Sequence, residues 1–127
     1  MPGPWYEALA KPVWTPPNWL FGPVWAVLYL AIAVAGWLIW RRSGARPSPA
    51  LYVWIAQLIV NALWSYFFFG LHRPGMALVD IIVLLLLIVG FIVLSWPVSR
   101  PAAGLFVAYG LWVGFAAALN LALWRMN

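Results

Sequence analysis

The sequence predicts an all-α integral membrane protein: an antiparallel bundle of four transmembrane helices, forming a single domain over residues 1–127, with a Pro/Trp-rich amino-terminal lid segment. Three observations lead there. Of the 127 residues, 67% are hydrophobic and 7% charged, whereas soluble domains average about half apolar and a quarter charged. Four apolar runs, 22–40, 51–70, 76–96 and 102–124, each approach the ~20 residues that cross ~30 Å of hydrocarbon as a helix. The breaks between them are short and rich in Pro, Gly and Arg, which makes successive helices antiparallel neighbours.

Residues 1–21 form the lid segment. From Trp5 to Trp19 the chain holds too many prolines for a long helix and too many aromatics for a disordered tail, so it is expected to lie on the membrane surface. Its candidate lid residues are Trp5, Pro12, Trp14, Pro16 and Pro17. Alternation of direction puts the lid, the 70–75 turn and the carboxyl end on one side of the membrane. The 41–50 and 96–101 turns fall on the other.

Polar side chains in hydrocarbon are costly, and those retained usually face a cavity or the bundle interior. In the second run Gln57, Asn61 and Ser65 recur every four residues, with Trp64 beside them and Phe68 beyond, which predicts an inward polar and aromatic face. Such a face either lines a pocket or joins helices by hydrogen bonds. Asp80 is the one carboxylate within a run, about 6 Å from its lid-side end at 1.5 Å per residue. It reads equally as a ligand group or as an ion pair or cap with Arg73 or Lys11. Asn120 in the fourth run and Trp25 in the first lie at similar depth, so three helices present polar or indole groups at one level. A cavity opening toward the lid follows, with Trp64 and Trp112 as its deeper indoles. Trp40, Trp54, Trp96 and Trp124 sit at run ends and read as an interfacial belt, while Trp37 fits either role. Gly110, Gly114, Ala118 and Ala122 form a small-residue ridge, suited to packing within the bundle or to a homodimer seam.

The net charge of +5 comes from seven basic residues against Glu7 and Asp80. These charges lie in turns rather than on one face, which argues against a nucleic-acid surface. Arg41, Arg42, Arg46 and Arg100 outnumber Lys11, Arg73 and Arg125, so the 41–50 and 96–101 turns are expected to be cytoplasmic. With no Cys and a single His, His72, neither thiol chemistry nor a metal centre is expected, and no cofactor is required. Arg100, Phe106 and Leu111 fit a proposed sterol-contact pattern that matches many membrane helices by chance.

Several segments together resemble a known family. Trp5-Tyr6-x-x-Leu9-x-Lys11-Pro12-x-Trp14-Thr15-Pro16-Pro17-x-Trp19 and Pro23-Val24-Trp25-x-x-Leu28-Tyr29 are similar to the first signature of the tryptophan-rich sensory proteins, also called translocator proteins or peripheral benzodiazepine receptors. Asn61-x-x-Trp64-Ser65-x-x-Phe68-Phe69-Gly70 and Leu111-Trp112-x-x-Phe115-Ala116-x-x-Leu119-Asn120-x-x-x-Trp124-x-x-Asn127 resemble the later signatures in order and spacing. The resemblance implies a membrane receptor or sensor, expected in a bacterial membrane. Its pocket would bind tetrapyrroles such as protoporphyrin IX and other hydrophobic ligands, sterols among them in some members. The family's ligand positions fall on Tyr6, Trp25, Asn61, Asp80 and Trp112, beside Trp64 and Asn120 from the reading above. Some bacterial members are reported to degrade protoporphyrin IX in light, which would give catalytic roles to Trp25 and Trp112. The family has five helices, and only Met1-Pro2-Gly3-Pro4 precede Trp5 here, so the expected fold is the five-helix fold minus its first helix. A small transporter is the remaining alternative, although the membrane-embedded Glu of small multidrug exporters has no counterpart in the first run.

Overall fold

The computed structural model describes residues 4–44 and 46–127, with Asn18 described by its backbone alone. Its helices are α1 (Pro4–Glu7), α2 (Asn18–Arg42), α3 (Pro49–Ser65), which runs on into a π-helical turn (Tyr66–Gly70), α4 (Pro74–Ser95) and α5 (Arg100–Met126). Four helical stretches, Trp19–Arg42, Pro49–Gly70, Pro74–Ser95 and Arg100–Met126, are long and apolar enough to cross a membrane. All four predicted spans are present, each longer than its apolar run by between one and five residues, with the π-turn completing the second.

The helix starts follow from local chemistry. Ser48 and Ser99 each accept a hydrogen bond from a first-turn amide, Leu51 at 3.3 Å and Ala102 at 3.4 Å. Pro49, Pro74 and Pro101 occupy first-turn positions where a missing N–H costs nothing. α2 begins at Asn18, so residues 18–21 belong to this helix and not to the lid. Pro23 lies inside it, a break that membrane helices tolerate because neighbours re-satisfy the freed carbonyl. At the other end Gly44, at φ +67°, supplies the left-handed residue that turns the chain away.

α4 packs along both α3 and α5, whereas α2 lies chiefly against α5 and only lightly against α3. The order around the bundle is therefore α2, α5, α4, α3. The α4–α5 seam is built from Ile81, Leu84, Ile88 and Phe91 against Ala102, Phe106, Tyr109 and Val113, all buried, with the Phe91 and Phe106 ring centroids 4.0 Å apart. A Cβ on Gly110 would stand 3.1 Å from Ile88, so this end of the small-residue ridge packs within the bundle. The ridge then winds outward, because four residues advance about 40° beyond a full turn. Gly114 meets open space and Ala118 is exposed.

The belt reading holds for Trp40, Trp96 and Trp124, which are exposed at helix ends, and for Trp37, whose ring lies 5.3 Å from the Arg41 guanidinium. Trp54 departs from it. Its indole donates to the Ile32 carbonyl at 2.9 Å and lies over Gly36, where a Cβ would come within 2.5 Å of the ring. Absence of a side chain at Gly36 is what lets α3 set this indole directly on the α2 backbone.

Candidate functional site

Under the lid, aromatic side chains from three helices close on one another and leave a cavity of only about 20 Å³. α2 contributes Phe21 and Trp25, α3 and its π-turn contribute Trp64, Phe68 and Phe69, and α5 contributes Trp112, Phe115 and Asn120. Tyr6 of α1 forms the roof, and α4 supplies no part of the lining. The π-turn explains why neighbours in sequence, Phe68 and Phe69, both reach the cavity. Its Leu71 amide donates to Tyr66 at 2.8 Å, a wider ring than an α turn.

The rings interlock. Trp25 stacks on Trp64 at 6.2 Å between centroids and meets Trp112 edge-on at 6.5 Å, while Trp64 stacks on Phe68 at 5.3 Å. Such offset and edge-to-face pairs are the favoured aromatic geometries. That space holds about one water and is far below the about 300–1,000 Å³ of small-molecule sites. A large flat ligand therefore enters only as these rings part.

Polar groups in the cavity fall into two kinds. The Trp64 indole donates to Asn120 Oδ1 at 3.0 Å, and Asn120 Nδ2 donates to the Pro74 carbonyl at 2.8 Å, which ties α3, α5 and the start of α4 together. The Tyr6 hydroxyl and the Trp112 Nε1 are buried and have no hydrogen-bond partner among the described residues. An unmet buried polar group costs about 1–3 kcal/mol. Burial also pushes the Tyr6 hydroxyl above the ordinary tyrosine range, so it stays a donor at neutral pH.

The lid is fastened at several points. Lys11 Nζ donates to the carbonyls of Tyr6, Glu7 and Leu9 at 3.0, 2.9 and 3.2 Å, closing the end of α1, and stands 5.1 Å above the Tyr6 ring. Trp5 stacks on His72 at 4.4 Å and meets Phe68 edge-on, and Trp14 meets Phe115 edge-on at 5.6 Å. The Pro12 carbonyl accepts from Thr15 at 3.1 Å, shaping the bend, and Pro16 and Pro17 lead into α2. Asn127 Oδ1 accepts from the Ala10 amide, and its Nδ2 donates to the Ala10 carbonyl, both at 3.1 Å. Met1–Gly3 of the predicted lid lie outside the described residues.

Of the residues singled out in the sequence, Tyr6, Trp25, Trp64, Trp112 and Asn120 come together on the lining. Asn61 and Asp80 do not reach it. Asn61 lies one turn deeper, where its Oδ1 accepts from Tyr29 at 3.0 Å and its Nδ2 donates to the Tyr109 hydroxyl. Tyr109 donates to Gln57 Oε1 at 3.0 Å, and Gln57 Nε2 returns to the Trp54 carbonyl at 2.8 Å. This chain joins α2, α3 and α5 by hydrogen bonds, the second role open to Gln57 and Asn61. Ser65 is exposed, because a strict spacing of four drifts off the inward face that Gln57, Asn61, Trp64 and Phe68 follow. Asp80 is buried on α4, its Oδ2 without a partner. Lys11 is held by lid carbonyls and Arg73 by Met76, and among the described residues neither pairs with Asp80, one of the two readings open to it. Tyr109 and Phe21 were not singled out, and Tyr29 and Phe69 entered only as signature positions, because tyrosine and phenylalanine in an apolar run carry no mark of the side they face.

Fold and site together define a multi-pass helical membrane protein with a lidded aromatic chamber, the architecture of a membrane sensor or receptor. The TspO/MBR family model matches residues 1–125, and the chain belongs to that family. It is 40% identical to protein CrtK of Rhodobacter capsulatus, over 99% of this chain and 80% of that protein. The tryptophan-rich protein TspO of Archaeoglobus fulgidus is 41% identical over 97% of this chain and 80% of its own length. The human translocator protein is 37% identical, with 97% and 75% covered.

Proposed function

We propose that the chamber binds a flat hydrophobic ligand of the tetrapyrrole class, protoporphyrin IX being the probe of choice. The observation that supports this most is the pair of unpartnered donors, Tyr6 hydroxyl and Trp112 Nε1, set in an otherwise aromatic lining. Stacked and edge-on rings suit a planar π-system, and the two donors suit its carboxylates or other acceptors. Occupation by such a ligand would offset the cost of leaving both donors unmet. Fluorescence titration with protoporphyrin IX in detergent, in the dark, tests the reading: saturable quenching is expected, weakened in Tyr6→Phe and Trp112→Phe. Unaltered affinity in the double variant would overturn it.

A second reading rests on the 6.5 Å approach of Trp25 to Trp112. Two indoles beside one bound porphyrin could give an electron to its excited state. Dioxygen, as the oxidant, would consume the reduced porphyrin and return the electron to the indole radical. The close approach supports light- and oxygen-dependent degradation. Loss of porphyrin absorbance under illumination in wild type, absent in Trp25→Phe with Trp112→Phe, is the expected result. Equal loss in both proteins would remove this reading and leave dark binding untouched.

A further inference from the structure

At the end of the bundle away from the lid, the carboxyl end of α2 and the turn between α4 and α5 enclose an open recess lined by Arg42, Trp96, Ser99 and Arg100. The Arg100 guanidinium rests 5.3 Å from the Trp96 ring centroid, and Arg42 is exposed at the last residue of α2. Among the described residues neither arginine has an ion pair or a side-chain hydrogen bond. Both acids of the sequence, Glu7 and Asp80, belong to the lid half of the molecule. Two cations thus share one recess with no counter-charge, an arrangement whose repulsion a bound anion relieves. A guanidinium pair also suits a phosphate group, which accepts paired N–H bonds from each fork.

The surroundings say which phosphate. Trp96 is exposed at the end of its span, the placement that puts an indole at headgroup level. One turn into the hydrocarbon Val93 on α4 and Gly104 on α5 are both exposed, so apolar surface continues inward from the recess. From the recess and this apolar surface we infer a binding site for one anionic glycerophospholipid, its phosphate between Arg42 and Arg100 and its chains along α4 and α5. Basic pockets between membrane helices hold anionic headgroups by this chemistry. The site is separate from the aromatic chamber and does not depend on what the chamber binds.

Native mass spectrometry of the full chain, released from mixed phosphatidylglycerol and phosphatidylcholine micelles, tests the site. One phosphatidylglycerol is expected to be retained in preference to phosphatidylcholine, with about fivefold weaker retention for each recess arginine removed. Arg42→Gln alone, at an exposed helix end, gives that loss without risk to folding, and adding Arg100→Gln extends it. Arg41→Gln with Arg46→Gln removes the same charge from the same end and is expected to leave retention unchanged. Equal loss in both pairs would reduce the site to diffuse surface attraction and overturn it. Equal retention of the two lipids, or displacement by millimolar glycerophosphoglycerol, would overturn it as well, the latter in favour of a soluble phosphate ligand.

Discussion

One helical turn separates Trp25 from Tyr29 on α2, Trp64 from Asn61 on α3 and Trp112 from Tyr109 on α5, and across that turn the bundle changes its treatment of polar groups. At the deeper level Tyr29, Asn61, Tyr109 and Gln57 bond to one another in an unbroken chain. At the level beneath the lid, Tyr6 and Trp112 keep donors that no described residue meets. α2, α3 and α5 run through both levels, with α1 adding Tyr6 at the upper one, so the difference is not one of which membrane-spanning helices take part. Completed hydrogen bonds fix how the helices lie against each other; incomplete ones belong where a further molecule can complete them. Stability and ligand affinity should accordingly respond to different residues.

The sharpest way to break the comparison is at the deeper level. Asn61→Leu removes an acceptor for Tyr29 and a donor to Tyr109, and is expected to cost about 2–3 kcal/mol, seen as a lower thermal midpoint in detergent. A smaller loss, about 1–2 kcal/mol, is expected of Gly36→Ala, since the added methyl meets the rigid Trp54 indole. Gly104→Ala, with open space around it, should leave the midpoint unchanged or raise it. Beneath the lid the pattern reverses. Tyr6→Phe should leave the midpoint where it is or raise it slightly, yet weaken protoporphyrin IX about fivefold, or roughly 1 kcal/mol. A matching loss of stability in Tyr6→Phe would erase the distinction between the two levels. The smallest effect belongs to the lid's fastening at Asn127, whose bonds to Ala10 are exposed. Asn127→Ala should change the midpoint by less than about 0.5 kcal/mol while speeding amide exchange between residues 8 and 12, and ligand release with it.

Much of this was legible in the chain itself. Runs of twenty apolar residues separated by Pro-, Gly- and Arg-rich breaks leave little choice but four helices, because backbone groups in hydrocarbon must be satisfied within the segment. The indoles at Trp25, Trp64 and Trp112, with Asn120, were visible through depth and spacing, and the resemblance added Tyr6. Sequence could not divide the polar residues between the two levels. Asn61 and Asn120 are the same amide on inward faces, and only the partners decide that one meets two tyrosines while the other meets an indole and a carbonyl. Trp54 escaped for a related reason, since a tryptophan near a span end looks interfacial until the glycine opposite it, 18 residues earlier, is seen to be its seat. Asp80 is buried on α4, yet no described residue of that helix lines the chamber. The π-turn left no trace, because Tyr66-Phe67-Phe68-Phe69 reads as an ordinary stretch of apolar helix.

That turn has a mechanical side. Each hydrogen-bonded ring of a π-helix encloses one residue more than an α-helix uses, so Tyr66–Gly70 carries a residue of slack at the rim of the chamber. Rewinding it to α geometry would let out about 1.5 Å of chain and swing Phe68 and Phe69 through about 100° relative to the helix below. His72, on which Trp5 rests, sits just beyond the slack. Such a rewinding would move the rim and the seat of the lid together, through a single residue's worth of helix.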